Sequence, residues 1–196
     1  MRRRDKEGIL QREMPEAGIR SISKEKRTAE LSFSSETPYM RWGEAEILDH
    51  APGACDLSRL QSIGCVLFNH NKDVVIGKIL SAEIRDHRGV ATVEFDADEK
   101  SQEIFDKVQS GTLKGVSVGY IVNSWEYVEK GTKTADGRFE GECNIARKWT
   151  PLEISIVSIP ADPTVGVGRS YENGSSLETR ERLIQLNQNI SRRYER

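Results

Sequence analysis

Ser117 lies in "GVSVGY" (Gly115–Tyr120), a literal G-x-S-x-G, the pattern in which a strained turn presents a serine hydroxyl as a nucleophile. A hydroxyl is barely nucleophilic at neutral pH and needs a base of pKa near 7 within hydrogen-bond reach, which imidazole supplies with little perturbation. The chain has three histidines, His50, His70 and His87, and all precede Ser117. The nucleophile-elbow hydrolases order their triad with histidine last, and their serine is followed by a helix. Here "VGYIVNSWEYV" follows, β-branched and aromatic, so order and context both exclude the elbow. His87 falls in the turn "RDHRG" and His50 in the loop "LDHAPG", whereas His70 ends an apolar strand in "VLFNHN", where neighbours hold a ring rigidly that still faces a cleft. An ionised carboxylate would orient that imidazole, and Glu153 stands inside the apolar run "WTPLEISIVSIP", where an unpaired carboxylate is costly and asks for a partner. A salt bridge or a solvent-facing strand position would account for Glu153 equally, and taken one at a time the three residues favour such ordinary roles.

The elements that would position them are mostly strands. "TAELSFSS" and "GVATVEFDA" alternate, the second placing Ala91, Val93, Phe95 and Ala97 on one face. "GCVLFNH" and "VVIGKILSAEIR" are β-branched runs, and "DHRG" is a tight turn between antiparallel strands. "DEKSQEIFDKVQSG" predicts a helix with acidic residues in its first turn, Ile104, Phe105 and Val108 on one face, and Gly111 ending it. Extended sequence resumes in "LKGVSVGYIVNSWEYVE", passes through the polar, Gly-rich "KGTKTADGRFEGE", and ends in a strand over "WTPLEISIVSIP", with Glu153, Ser155 and Val157 on one side. Gly115 and Gly119 relieve crowding where strand backbones approach, Gly119 at a bulge. Many short strands with few helices predict a mainly β, α+β fold: an antiparallel sheet closed into a barrel, since closure removes exposed edges, with helices around it. Residues 1–27, charged and poor in apolar residues, read as a flexible extension, 28–170 as the barrel domain, and 171–196 as a helical tail with Leu183, Leu186 and Ile190 at helical spacing.

With 196 residues the chain suits one core. A formal charge of −2, with both signs interspersed, gives no electrostatic reason to expect a nucleic-acid partner, and the basic start "MRRRDKEGIL" reads as a solvated tail. No apolar run has transmembrane length and no secretory leader is visible, so the expectation is a cytosolic protein without a membrane partner. Cys55, Cys65 and Cys143 include no CxxC pair, which argues against a disulfide framework or structural zinc; two read as core or strand residues and Cys143 as an exposed loop residue. "NHNK" lacks further ligands at metal spacing, and no cofactor motif is present, so neither a metal nor a cofactor is expected.

Three blocks, "VLFNHNKDVVIGKI", "LKGVSVGY" and "PLEISIVSIPADP", together resemble the signature blocks of the tailed-phage prohead proteases, capsid-maturation serine peptidases related to herpesvirus assemblin. "RWGEAEILDH" and "DLSRL" are similar to the family's lead-in, and the likeness runs over about residues 30–170. The resemblance implies an assemblin-like barrel and a catalytic set of His70, Ser117 and Glu153; assemblin has a second histidine in the third role, and the glutamate follows the phage branch. It also implies a serine endopeptidase that cuts the scaffolding portion of the major capsid protein, and itself, inside the immature prohead in the bacterial host's cytoplasm. Portal and prohead components, and further copies of the chain, are the implied partners. Backbone N–H groups near Ser117 or in "TVGVGRS" would bind the oxyanion. A rival of another class is an inactive assembly protein that binds capsid protein through its terminal helix, a helix too short to form a stable coiled coil alone.

Overall fold

A computed structural model describes residues 8–13, 18–41 and 43–159. The tail 171–196 and the "TVGVGRS" segment lie outside the described residues. Strands come in the order β1 (Leu10–Glu13), β2 (Gly18–Ser23), β3 (Thr28–Ser35), β4 (Tyr39–Arg41) and β5 (Glu44–Leu48). The short helix α1 (Ser58–Ile63) precedes β6 (Cys65–Phe68), β7 (Asn71–Arg85) and β8 (Arg88–Phe95). Helix α2 (Glu99–Gln109) is followed by the two long strands β9 (Gly115–Val128) and β10 (Cys143–Val157).

The ten strands of the described residues belong to one sheet, whose main path is β1-β9-β10-β6-β7-β8-β3-β2, with β5 on β10 and β4 on β5. Eight strands laid flat would separate the first from the last by about 34 Å. Yet β1 and β2 are at opposite ends of that path and neighbours in sequence, and the link from Glu13 to Gly18 spans at most about 17 Å. The sheet must therefore curl, and residues of β2 and β3 come near β9 across the gap. It curls as an open half-barrel. The closed antiparallel barrel expected from sequence is corrected on two points: among the described residues no ladder joins the two ends of the path, and β10 runs parallel to both β5 and β6. The reason is local: β5, the bridge of Cys55 to Trp149, and β6 follow one another in one direction along the same edge of β10, so both pairings are parallel. Part of the segment 1–27 that reads as a charged extension also stands in the sheet, as β1 on β9 and β2 on β3.

Most of the core lies inside the curl. Phe33, Leu48, Ile76, Val93, Phe95, Val118, Tyr120, Trp149, Ile154 and Ile156 are buried from the strands, and α2 adds Ile104, Phe105 and Val108 as its spacing predicts. Asp98 caps that helix by accepting from the Ser101 N–H, and Gly111, at φ +76°, takes the left-handed conformation just beyond its end. A smaller cluster of Ile47, Val128, Phe139, Cys143 and Ile145 sits under the 129–142 loop. Cys143 opens β10 and is buried there, against its reading as an exposed loop residue, because the strand begins six residues earlier than "WTPLEISIVSIP" suggests. Arg138 and Arg147 both pair with Asp49, at 2.7 and 2.8 Å, and tie this loop to the end of β5.

Candidate active site

The three side chains singled out in the sequence meet across adjacent strands. Ser117 lies on β9 directly opposite Ser155 of β10, Glu153 of β10 lies opposite Gly119 of β9, and the end of β6, Phe68, is in register with Ile156 of β10. His70 follows at the tip of the β6–β7 hairpin, where Phe68 pairs with Asn71 around the two-residue turn Asn69-His70. Both turn residues have positive φ, 52° and 57°. Tight hairpin turns of this kind favour such angles, and asparagine and histidine are among the non-glycine residues that adopt them most readily. Contacts to β10 hold the turn: the Asn69 N–H donates to the Ile156 carbonyl (2.9 Å), Asn69 Oδ1 accepts from the Ser158 N–H (2.9 Å), and the His70 N–H donates to Ser155 Oγ (3.1 Å).

The imidazole bridges the other two groups. Nδ1 is 2.7 Å from Glu153 Oε1 and Nε2 is 2.6 Å from Ser117 Oγ. A carboxylate only accepts, so Nδ1 donates to it and Nε2 is left to accept from the hydroxyl. Ser155 Oγ donates to the second carboxylate oxygen, Oε2, at 2.8 Å, so one hydroxyl locks both the carboxylate and the His70 backbone. Gly119 makes the geometry feasible: a Cβ there would lie 2.3 Å from Glu153 Oε1. From Glu153 to Val157 the ladder with β9 is regular, so alternation puts Glu153 on the same face as Ser155 and Ser117. Ser117 is fully buried, while His70 and Glu153 keep small exposed fractions, 11% and 14% of their side chains.

The arrangement can support acyl transfer: a hydroxyl, an imidazole within hydrogen-bond reach of it, and a carboxyl group that orients the ring. The other two histidines lie elsewhere. His87 occupies the β7–β8 turn, exposed, 3.3 Å from Glu36. His50 is not a loop residue in water; it is buried, its Nε2 2.8 Å from Ser34 Oγ and its Nδ1 2.9 Å from the Leu48 carbonyl, and burial lowers its pKa to about 4. The sequence reading missed the part played by Ser155, although its signal was present: two residues beyond Glu153, it shares that face of the strand. Among the described residues, no three His, Cys, Asp or Glu side chains converge as a metal site, and no helix is long and apolar enough to cross a membrane.

Residues 32–178 match the family model described as Caudovirus prohead serine protease, a span that includes His70, Ser117 and Glu153. The chain belongs to that family. A curated relative, the "Major capsid protein" of Halomonas phage phiHAP-1 (isolate -/Gulf of Mexico/-/2001), is 36% identical over 155 residues, which is 76% of this chain and 24% of the relative. The chain thus spans about a quarter of the length of that relative. No solved structure matches the chain. Membership makes the chain one of a family of phage serine peptidases.

Proposed function

We propose that this prohead protease family member is a serine endopeptidase in which Ser117 is the nucleophile, His70 its base and Glu153 the group that orients the base. The observation that carries the reading is the unbroken chain from Ser117 Oγ through the His70 ring to Glu153, with both hydrogen bonds under 3 Å. His70 Nε2 takes the hydroxyl proton as Ser117 Oγ attacks a peptide carbonyl carbon, and the resulting imidazolium is stabilised by Glu153 at Nδ1. The same proton passes to the leaving amine as the C–N bond breaks. Water then attacks the acyl-enzyme with His70 as base, which releases the new carboxylate and restores the serine.

The substrate in this reading is the scaffolding portion of the major capsid protein, together with the protease itself. Cleavage takes place within the immature shell in the host cytoplasm, where portal components and further copies of the chain are its neighbours. A relative named as a major capsid protein supports the capsid link, since it carries a region similar to this chain in the same polypeptide. Co-expression with capsid protein tests it. Peptide mapping should find the capsid protein shortened by the wild-type chain and intact beside Ser117→Ala; equal processing by both would overturn the assignment.

A further inference from the structure

The hydroxyl of Ser117 touches one more group: it lies 3.1 Å from the backbone carbonyl oxygen of Arg12, to which it can donate. Arg12 belongs to β1, which runs antiparallel to β9 with Leu10 opposite Tyr120, Arg12 opposite Val118 and Glu13 opposite Ser117. The peptide bond Arg12–Glu13 therefore crosses the nucleophile, in an extended segment added to the edge of the strand that carries it. That is how a peptide binds by strand addition, the ladder supplying affinity and side-chain pockets the selectivity. While β1 is in place Ser117 has no exposed surface, so no second peptide reaches it.

The Arg12 side chain fills such a pocket. It is one of the largest fully buried side chains among the described residues, and burial lowers its pKa from the ordinary guanidinium value. Its Nη2 donates to the Thr37 carbonyl, its Nη1 is 4.0 Å from Glu46 Oε1, and its guanidinium stands 5.5 Å from the centre of the Tyr39 ring. Glu46, itself buried, also accepts from the Tyr120 hydroxyl and pairs with Arg41 Nε at 3.2 Å. Arg41 in turn donates to the Gln11 carbonyl at 2.5 Å and holds the β1 backbone from the other side. Two features mark an occupant rather than a permanent core residue. Arg12 Nε and Nη1, like Glu46 Oε2 of the pocket, make no hydrogen bond among the described residues, so the seat is looser than a settled interior, where polar atoms are nearly always paired. The Glu46 carboxylate keeps Arg41 as a counter-ion, so the pocket remains charge-balanced when Arg12 leaves.

We infer that the edge of β9 is the peptide cleft, that the pocket of Glu46, Tyr120, Tyr39 and Thr37 selects arginine on the acyl side of the scissile bond, and that the chain's own Arg12–Glu13 bond is its first substrate. This rests on the serine-protease reading above. In the cleavage Ser117 Oγ bonds to the Arg12 carbonyl carbon, the bond to the Glu13 nitrogen breaks, and the proton His70 took from the serine goes to that nitrogen. One water then hydrolyses the ester, leaving Arg12 with a carboxylate and Glu13 with a free amine. Among the described residues the fragment ending at Arg12 is held by the β1 ladder and the Arg12 pocket. Its departure uncovers Ser117 for an extended segment of another chain with arginine at the same place.

The test follows the full chain by intact mass and N-terminal sequencing, with a fluorophosphonate probe reporting Ser117. Wild type should lose the fragment ending at Arg12 and begin at Glu13, and Ser117→Ala should stay whole. Arg12→Ala should cut that bond at least about 10²-fold more slowly, because a pocket built for a hydrogen-bonding cation discriminates strongly against its absence. Arg12→Glu should place an anion against Glu46, displace β1, and label with the probe faster than Ser117→Ala-controlled background and faster than uncut wild type. A synthetic peptide spanning residues 7–17 should be cut after arginine by the trimmed enzyme, which keeps the cleft testable should an Arg12 variant fail to fold. If Ser117 labels while the Arg12–Glu13 bond and the peptide both stay intact, β1 is a structural strand and the inference is overturned with the serine-protease reading untouched. If Ser117 labels in none of these proteins and no cleavage occurs, the reading itself fails and takes the inference with it.

Discussion

Among the described residues two serine–histidine pairs occur, and at the level of one hydrogen bond they look alike. Ser117 Oγ is 2.6 Å from His70 Nε2, and Ser34 Oγ is 2.8 Å from His50 Nε2. The difference lies at the other nitrogen. His70 Nδ1 meets the Glu153 carboxylate, which stabilises a protonated ring, whereas His50 Nδ1 meets the neutral Leu48 carbonyl, which does so far less. Surroundings widen the gap. His50 is packed edge-on against Trp149 with rings 5.5 Å apart, deep enough that burial brings its pKa to about 4. A base that weak is poorly matched to taking a serine proton at neutral pH, so the second pair is a hydrogen bond of the core. A Ser–His contact thus says little about catalysis until the partner of the far nitrogen and the depth of the ring are known.

The comparison can be broken most directly at the nucleophile. Ser117→Ala or His70→Ala should lower peptide cleavage by about 10⁶-fold, with Glu153→Gln costing less, about 10⁴-fold, while Ser34→Ala leaves the rate per folded molecule unchanged. A steady-state assay on an arginine-containing peptide reads this, and a large loss for Ser34→Ala would erase the distinction. Next in size is Gly119→Ala: its Cβ would fall on Glu153 Oε1, and the displaced carboxylate should cost roughly 10²-fold in kcat with the fold retained by circular dichroism.

For His50 the expected readout is stability against pH. Its folded pKa lies near 4 and its unfolded value near 6.5. Above 6.5 neither state binds the proton. As pH falls below that, the unfolded chain takes up a proton that the folded chain refuses, so stability declines until pH 4, by on the order of 3 kcal/mol in all. Glu36, Arg12 and Asp49 are the charged groups whose fields act on the ring. Urea titrations at pH 7 and pH 4.5 should show a smaller fall for His50→Gln than for wild type; equal falls would place the proton elsewhere. Smallest is Ser34→Ala, which removes one buried hydroxyl and should cost about 1 kcal/mol at pH 7 by the same titration.

Much of this molecule was legible as sequence because the relevant signals are local. The alternation in "TAELSFSS" became β3, the capped stripe after Asp98 became α2, and "DHRG" became a two-residue turn. Ser117, His70 and Glu153 could be named from residue type, strand context and family likeness. Other features depend on pairings that no window of sequence contains. Residues 1–27 look like a solvated tail by composition, yet β1 is held by a ladder to β9, more than a hundred residues later. Cys143 and His50 read as loop residues and are buried, the one because β10 starts early, the other because Trp149 folds over it.

By itself the sequence determined the residue types that can do acyl transfer, the strands that carry them, and the order, histidine before serine, that rules out the elbow hydrolases. Only the tertiary structure decided that Glu153 faces His70, because that depends on β6, which leads into the His70 turn, pairing with β10, and on a glycine in β9 leaving room for the carboxylate. It alone decided which of two serine–histidine pairs has a carboxylate behind it, and that an arginine from the charged start of the chain lies across the nucleophile. The physical reason is shared: side-chain identity is written residue by residue, but hydrogen-bond partners and burial are set by which strands lie side by side once the sheet has curled.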